Sequence, residues 1–502
     1  MNYVRIKNLR SLKDTHEIEM KKINLLVGSN SSGKSTFLRV FPLLKQSFRK
    51  RINGPILWGG DDDYVDFGSF GEALNVHARE KSDTIRFVFD FFADYKFSVD
   101  IRSKGTVFQR KMFGNVKAEF AIRNDKKTTY DYVSELILEY EDYILNVSFS
   151  DKNRITMLNL NGDSIDIIEK ADDFYDTPDG AGVFGISLFG ISNTARKKLK
   201  KLLELEDDYK LDYDIELLYD ALENKKYTFI FDENKIYEKV EYDKKHNPQK
   251  VIEFKKWVYL YYLKSFFNYI SGYIIAYFKN VSYIAPIRAT AERYYRLQNL
   301  AVDEVDCRGK NLPIFLHSLR EREFRSFQNW TLKNLGFKVH VFVSEGHVSL
   351  KIQKDGQEKA VNLLDTGFGY SQILPIVTQL WYIAEGVWYK RMLRYPYRNI
   401  PKTIVIEQPE LHLHPALQAK LIDIIVNIAT ERNIHFIIET HSETMVNRIG
   451  SLIDRKKIKN DDVGIILFNK EFGEDETYIL KSSFDHEGYL ENWPIGFFEP
   501  ED

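Results

Sequence analysis

Two kinds of hydrophobic pattern run through the chain. Near the N-terminus, Tyr3 to Leu9 and Glu17 to Met20 alternate apolar and polar residues and predict strands. The short apolar run Ile23 to Val27 predicts a buried strand, and Lys34 to Phe48 has the three- and four-residue apolar spacing of a helix. We therefore predict a strand, a glycine-containing turn and a helix in close succession.

The middle of the chain divides into two segments of different pattern. From about Thr84 to Leu160 apolar residues alternate repeatedly, as at Ile85, Phe87 and Phe89, which predicts a meander of antiparallel strands. From about Asn193 to Lys256 the composition shifts to Lys, Glu, Asp and Tyr, and we predict an inserted helical arm.

The last part of the chain alternates strands with helices. We predict a helix around Phe315 to Leu335 and a hairpin from Lys338 to Gln353. Three further strands, with helices between them, are predicted at Thr403 to Ile406, His435 to Ile438 and Val463 to Phe468. This alternation is typical of an α/β fold with a largely parallel, helix-covered sheet.

Composition and charge exclude several classes of protein. The length of 502 residues predicts two or three lobes. The net charge of −2 gives no overall basic field, so a nucleic-acid surface would have to be a local patch or be completed by a partner. Cys307 is the only cysteine, which excludes an intramolecular disulfide. The N-terminus lacks a signal-peptide pattern, and we expect a cytoplasmic protein.

The segment Trp257 to Phe278 is long and aromatic enough to be considered as a membrane span. Lys264 and Asn268 lie inside it, and its six tyrosines are spread along it instead of marking its ends. We interpret it as a buried or interface helix and expect no membrane association.

Eight residues between the first predicted buried strand and helix fit the phosphate-binding pattern G-x-x-x-x-G-K-[ST]. They are Gly28, Ser29, Asn30, Ser31, Ser32, Gly33, Lys34 and Ser35. In this P-loop, backbone N–H groups surround phosphate oxygens, Lys34 reaches the β- and γ-phosphates, and the Ser35 hydroxyl binds Mg²⁺, with Thr36 assisting at the phosphates. A glycine turn without a ligand is the alternative, but the complete motif in this context favours ATP and Mg²⁺.

The strand that begins at Thr403 ends in two carboxylates, Glu407 and Glu410. This is the geometry of a Walker B strand, in which one carboxylate reaches the metal and another polarises the attacking water. We assign Glu407 to Mg²⁺ and Glu410 to the water. An isolated pair of this kind would usually be structural, but the P-loop makes a matching acidic strand expected.

Three histidines after the acidic strand are candidates for a role in the site. The predicted strand His435 to Glu439 leads into Thr440 and His441, which places His441 at the mouth of the same sheet, and we predict that it senses the γ-phosphate. His412 and His414 alternate as metal ligands do, but no third ligand is evident, so we interpret them as loop packing or dimer contacts.

The order of these motifs resembles that of the SMC/RecF/OLD-type ABC ATPases. The resemblance rests on the P-loop followed by Leu364 to Pro375, Ile406 to Pro415 and Ile438 to Ser442. The stretches Tyr283 to Arg288 and Trp493 to Phe498 are similar to those of stand-alone AAA-type ATPases of bacterial anti-phage systems, such as Septu or retron-associated Septu-like ATPases.

The resemblance implies an ABC-type P-loop ATPase head with a β-rich lobe and an inserted helical arm. The implied domains are 1–80 and 281–502 for the two parts of the head, 81–190 for the lobe and 191–280 for the arm. Gly369 to Gln372 would be the signature loop, and its Ser371 would contact ATP bound by a second subunit, giving a homodimer or higher oligomer through ATP-bound heads. His441 would be the switch histidine, and Gln46 would be the Q-loop glutamine.

The family also implies what this chain lacks and what it would work with. OLD-type proteins continue into a Toprim nuclease, whereas 61 residues follow His441 here, so we expect no nuclease domain in this chain. We predict an ATP-hydrolysing dimeric switch that controls a separate HNH-type nuclease in anti-phage defence, with nucleic acid as a possible partner. The alternatives are a RecF-like DNA-repair ATPase, a slowly hydrolysing ATP-bound sensor scaffold, and a transporter subunit, which the motifs fit poorly.

Overall fold

A computed structural model describes the chain in two compact units. The described residues are 1–502 except 61–62, 82, 102–105, 167–183, 185, 187, 204–214, 216–217, 220–221, 223–233, 287–290, 298–301, 303, 386–396, 398, 471–476 and 495–502. The head unit comprises residues 2–51, 57–85 and 276–502, and the inserted unit comprises residue 1, 52–56 and 86–275.

The strands and helices follow each other in the order that the sequence patterns predict, with local differences. The strands are β1 (Tyr3–Leu9), β2 (Leu12–Asp14), β3 (Ile18–Glu19), β4 (Ile23–Gly28), β5 (Ile85–Ile101), β6 (Thr106–Asn124), β7 (Asp131–Tyr140), β8 (Tyr143–Phe149), β9 (Ile155–Leu160), β10 (Asp163–Ser164), β11 (Val281–Ile284), β12 (Tyr295–Arg296), β13 (Phe337–Ser344), β14 (His347–Lys354), β15 (Val361–Asn362), β16 (Lys402–Glu407), β17 (Ile434–Glu439), β18 (Val463–Asn469), β19 (Tyr478–Phe484) and β20 (Leu490–Glu491). The helices are α1 (Lys34–Arg49), α2 (Phe70–Ala73), α3 (Ala78–Lys81), α4 (Phe189–Leu203), α5 (Asn234–His246), α6 (Pro248–Lys279), α7 (Leu312–Ser318), α8 (Glu321–Leu335), α9 (Phe368–Ala384), α10 (Pro415–Glu431) and α11 (Glu443–Asp454).

The head unit is built on a seven-stranded sheet with the order β11-β16-β17-β4-β18-β19-β20. The first five strands are parallel, and β19 and β20 add an antiparallel edge. Strand β17 therefore lies between β4, which precedes the P-loop, and β16, which ends at Glu407. The carboxyl ends of these three strands meet at one edge of the sheet, where ligands bind in α/β folds. The predicted α/β fold class is confirmed.

The central strands are buried on both faces. Every residue of β4 and β16 is buried, which matches their nearly continuous runs of Ile, Leu and Val. Helix α1 packs on this sheet through Phe37, Leu38 and Phe41, all fully buried. Burying such side chains contributes roughly 2 kcal/mol each, so the sheet and α1 form a rigid support for the turn between them.

One helix predicted in the head unit is divided into two helices in the structure. The stretch predicted as a helix around 315–335 is interrupted between α7 and α8, because Leu319 and Arg320 have extended ψ angles of 141° and 150°. The predicted hairpin is present as β13 and β14, which pair antiparallel from Phe337 to Ser344.

The inserted unit contains the predicted antiparallel meander, β5 to β10, and the helices α4 to α6. Helix α6 packs aromatic rings on the strands, as Tyr273 stacks on Phe91 at 4.0 Å and Tyr259 on Tyr143 at 4.3 Å between ring centroids. The prediction that this aromatic segment is a buried helix is confirmed. Among the described residues, no helix is long and apolar enough to cross a membrane.

Candidate functional site

The turn between β4 and α1 is shaped by two glycines at positive φ, 150° at Gly28 and 94° at Gly33. A Cβ atom at Gly28 would lie 2.0 Å from the carbonyl oxygen of Phe468, and one at Gly33 would lie 2.8 Å from Leu12 Cδ2. Neither position therefore accepts a side chain. Gly33 caps α1 without a side-chain hydrogen bond, which leaves the N–H groups of the first helical turn for a phosphate.

A cleft of about 250 Å³ opens over this turn. Its described lining contains seven consecutive residues from the P-loop and the start of α1, Arg39 further along α1, and groups from three other segments of the head unit. The lining residues are Arg10, Ser11, Asn30, Ser31, Ser32, Gly33, Lys34, Ser35, Thr36, Arg39, Gln408, Glu439 and His441. Polar and charged side chains dominate, as expected for a site that holds a triphosphate.

Lys34 lies in the floor of the turn and is only 3% exposed. Its Nζ donates hydrogen bonds to the carbonyl oxygens of Gly28, at 3.0 Å, and Ser29. Burial lowers the pKa of Lys34, while the carboxylates of Glu439 and Glu410 act in the opposite direction. These two carboxylates favour the cationic form of the amine that a phosphate needs.

Ser35 and Glu439 are directly joined. Ser35 Oγ donates a hydrogen bond of 2.8 Å to Glu439 Oε1, and Glu439 is 1% exposed. Its other oxygen, Oε2, is buried and has no hydrogen-bond partner among the described residues. Burial, followed by the charge of Glu407, raises the pKa of Glu439 to about 7.

This donor set fits Mg²⁺. A hydroxyl, a carboxylate and the phosphates of a nucleotide are oxygen ligands, which Mg²⁺ prefers. A cation would supply the partner that the buried Oε2 of Glu439 does not find in the described part of the chain. Among the described residues no group of three His, Cys, Asp or Glu side chains could hold a metal by itself. Mg²⁺ normally binds through one or two carboxylates together with phosphates and water, so the fit stands.

Glu407, the residue assigned to Mg²⁺ from the sequence, is held by two other side chains. Arg39 Nη2 and Nε donate to its two oxygens at 2.5 and 3.0 Å, and Tyr283 Oη donates to Oε2 at 2.7 Å. Burial lowers the pKa of Arg39, but the hydrogen bond and charge of Glu407 outweigh it and raise that pKa overall. Glu407 lies opposite Glu439 on the adjacent strand and is not among the described residues that line the cleft.

Glu410 and His441 belong to adjacent loops that are tied together. The backbone N–H of His441 donates to Glu410 Oε1 at 2.7 Å, and Ser442 Oγ donates to Gln418 Oε1 at 2.6 Å. The His441 ring lines the cleft, and burial, with a smaller contribution from Lys34, lowers its pKa. Both effects favour the neutral form of the imidazole.

Other residues singled out from the sequence lie away from the described cleft lining. Ser371, 6% exposed, donates to the carbonyl oxygen of Phe368 within the first turn of α9. Gln46 donates to the carbonyl oxygens of Leu57 and Val65 at 2.8 and 3.1 Å and thus anchors a loop.

The two alternating histidines have local packing roles. His414 Nδ1 accepts a hydrogen bond from Ala416 N at the start of α10, at 3.2 Å. The His412 ring lies against Phe368, with 5.0 Å between ring centroids. The structure thus shows loop packing, which was one of the two interpretations of these histidines.

Five residues that line the cleft were missed by the sequence analysis: Arg10, Ser11, Arg39, Gln408 and Glu439. Glu439 could have been predicted from the sequence, because it ends a predicted buried strand just as Glu407 does. Arg39 lies four residues after Ser35 and so on the same face of α1. Nothing local in the sequence indicated Arg10. Residues 287–288 and 495–498 of the stretches that carried the finer resemblance lie outside the described residues.

The family model described as AAA ATPase domain matches residues 1–446. No curated protein matches the chain significantly.

Among solved structures, the chain is similar to the Smc head domain with an extended coiled coil bound to the C-terminal domain of ScpA from Pyrococcus furiosus, with 12% identity and a TM-score of 0.34 over 96% of this chain and 96% of that one. It is also similar to the SMC head domain from Thermotoga maritima, with 9% identity and a TM-score of 0.34 over 96% of this chain and 99% of that one.

A complete P-loop, an acidic strand end beside it and a family match over most of the length all lead to the same assignment. The chain belongs to the AAA ATPase domain family and is an ATP-binding ATPase.

Proposed function

We propose that the chain is an ATP-driven switch whose hydrolysis site is completed by a second copy of the chain, and that the switch controls a separate nuclease in bacterial anti-phage defence. The observation that supports the first part is the surface beside Ser371, where the apolar side chains of Leu364 and Phe368 are exposed. The second part rests on the resemblance of the motifs to those of anti-phage ATPases.

Hydrolysis at this site uses residues from three strand ends. The first-turn N–H groups of α1 and the Lys34 amine bind the phosphates, and His441 lines the same cleft. Mg²⁺ would be held by Ser35 and Glu439, with Glu407 beside Glu439 on the adjacent strand, and would neutralise charge on the β- and γ-phosphates. Glu410 is proposed to orient the attacking water and accept its proton, because its Oε1 is already fixed by His441 N.

A second copy is proposed to present the segment Gly369 to Gln372 to the γ-phosphate. Large apolar side chains flank this segment at the surface, since Leu364 is 44% exposed and Phe368 is 52% exposed. Exposed apolar groups beside a polar segment are typical of an interface. ATP would then join two heads, and hydrolysis would separate them.

The partner is proposed to be an HNH-type nuclease that the ATP-bound dimer restrains and releases. Co-expression with such a nuclease and recovery of a complex that depends on ATP would support this role. ATPase stimulation by DNA of any source, without a nuclease partner, would instead favour the RecF-like alternative.

The switch itself is tested by ATP hydrolysis and by mass analysis after size exclusion, comparing wild type with Glu410→Gln. We expect wild type to hydrolyse ATP and Glu410→Gln to bind ATP and accumulate as a larger assembly. Glu431→Gln, an exposed carboxylate at the end of α10, is the matched control and should behave as wild type. A wild-type protein that neither binds nor hydrolyses ATP with Mg²⁺ present would overturn the proposal.

A further inference from the structure

The head unit contains a second cavity, separate from the P-loop cleft. It measures about 390 Å³, within the range of small-molecule pockets, which is roughly 300–1,000 Å³. The C-terminal half of α1, strand β11 and the loop at 304–311 form its walls. Its described lining is Lys45, Gln46, Arg49, Lys50, Asp63, Tyr64, Ser282, Tyr283, Glu304, Val305, Asp306, Cys307, Asn311 and Gln379.

Most polar groups around this cavity already have partners. Arg49 Nη1 donates to Glu304 Oε1 at 2.8 Å, and Lys50 pairs with Asp63. Asn311 donates to the carbonyl oxygen of Glu304 at 3.0 Å. These contacts pair Asp63 and one oxygen of Glu304, and Asp306 Oδ1 accepts a hydrogen bond of 2.6 Å from the backbone N–H of Arg308.

Two buried donors remain. Lys45 is 2% exposed, and its Nζ lies 4.8 Å from the centre of the Tyr64 ring, with no hydrogen bond or ion pair to any described residue. Ser282 is 8% exposed, and its hydroxyl likewise forms no hydrogen bond with a described residue. A buried ammonium without an acceptor is unfavourable by several kcal/mol in general, so a fold seldom keeps one without a ligand.

The charged groups near Lys45 are a further reason to expect an acceptor beside it. Lys402 is fully buried nearby, and its pKa is lowered first by burial and then by the charge of Lys45. Burial lowers the pKa of Lys45 to about 8, and Glu304 only partly compensates for it. Cys307, whose pKa is raised by burial, lines the same cavity as a neutral S–H, which is a weak donor.

We propose that this cavity binds a small anion with a terminal carboxylate or phosphate group, whose oxygens accept hydrogen bonds from Lys45 and Ser282. The site is distinct from the nucleotide cleft but is linked to it on two sides. Tyr283 lines the cavity and donates to Glu407, and Lys45 lies on the helix that carries Ser35, about 15 Å along its axis. Occupancy therefore alters the position of Glu407 and the rate of ATP hydrolysis.

The test is calorimetric titration with inorganic phosphate and, separately, with acetate, at pH 7 on full-length protein whose P-loop is saturated with Mg²⁺ and ADP. The variants are Lys45→Met and Ser282→Ala, and the matched control is Lys457→Met, an exposed lysine of the head unit. We expect wild type and the control to bind one of the two anions alike. Lys45→Met should weaken that binding by about tenfold or more, since it removes a charge-assisted hydrogen bond.

The anion that binds, inorganic phosphate or acetate, identifies the chemical class of the ligand as a phosphate or a carboxylate. Failure of both anions to bind wild type, or equal affinity in Lys45→Met, would overturn the proposal. Ser282→Ala keeps the test decisive if Lys45→Met does not fold, because it should weaken binding by about threefold through loss of one neutral hydrogen bond. Because binding is measured without ATP turnover, its failure is distinguishable from failure of the proposed switch.

Discussion

Ser35 Oγ donates a hydrogen bond of 2.8 Å to Glu439 Oε1 across 404 residues of sequence. This contact joins the P-loop helix to the end of β17, which is the strand between the P-loop strand and the acidic strand β16. It makes Glu439 the carboxylate nearest to the predicted Mg²⁺ ligand, ahead of Glu407.

Glu439→Gln is expected to lower ATP hydrolysis by about 10- to 100-fold and to weaken the apparent affinity for Mg²⁺, since the amide keeps the shape but loses the charge. Steady-state hydrolysis measured over a Mg²⁺ titration checks this. Glu431→Gln should leave both quantities unchanged. A Glu439→Gln protein with normal Mg²⁺ dependence would show that Glu439 is only a structural partner of Ser35.

Arg39→Met is expected to reduce the free energy of unfolding by about 2–3 kcal/mol, because it leaves the buried carboxylate of Glu407 without its guanidinium partner. The value lies at the low end for a buried pair since the Arg39 side chain is 33% exposed. Denaturant unfolding of Arg39→Met, Glu407→Gln and the double variant forms the test. In the double variant most of the loss should disappear, and simple additivity would contradict the pairing.

Lys45→Met is expected to make the protein more stable at pH 7, by about 3 kcal/mol at most. Lys45 has a pKa of about 8 in the folded protein against 10.5 as its ordinary value. Between these two values the unfolded state binds more protons than the folded state. The destabilisation of the folded protein by charged Lys45 is therefore complete below pH 8 and disappears as the pH rises to 10.5. Thermal unfolding from pH 7 to 10.5 should therefore show the gap between variant and wild type closing.

The charged groups that interact with Lys45 are Arg49, Glu304 and Cys307, with Lys402 buried nearby, and all are unchanged in that comparison. Lys457→Met should show a difference from wild type that does not vary over the same range. A gap that stays constant with pH for Lys45→Met would mean that the lysine is not buried in its charged form.

Mixing two inactive variants tests whether the site is shared between subunits. Lys34→Ala removes the phosphate-binding amine, and Ser371→Asp places a negative charge where the proposed signature segment meets the γ-phosphate. Each should be inactive alone. An equal mixture should recover about one quarter of wild-type activity, because half of the dimers pair unlike subunits and each of these keeps one complete site. No recovery on mixing would contradict a site shared in this way.

Much of the head unit followed from local sequence. The P-loop could be placed because its chemistry requires glycines, a lysine and a hydroxyl at fixed spacing, and the buried strands because both of their faces are apolar. The break between α7 and α8 could not be placed, since Leu319 and Arg320 have no residue type that forbids a helix. Gln46 was expected near the nucleotide but instead bonds to backbone at Leu57 and Val65, groups that only the folded loop brings within reach.

The sequence by itself determined that this protein has a nucleotide-binding P-loop, an acidic strand and an α/β core, because these features depend on residues close together in the chain. The tertiary structure alone decided that Glu439 bonds to Ser35 and that Arg39 and Tyr283 hold Glu407. It also decided that Lys45 lines a cavity without a hydrogen bond to any residue in the described part of the chain. Such contacts depend on the order of strands in the sheet and on which groups lose water together. Those are properties of packing between distant segments, and no local pattern encodes them.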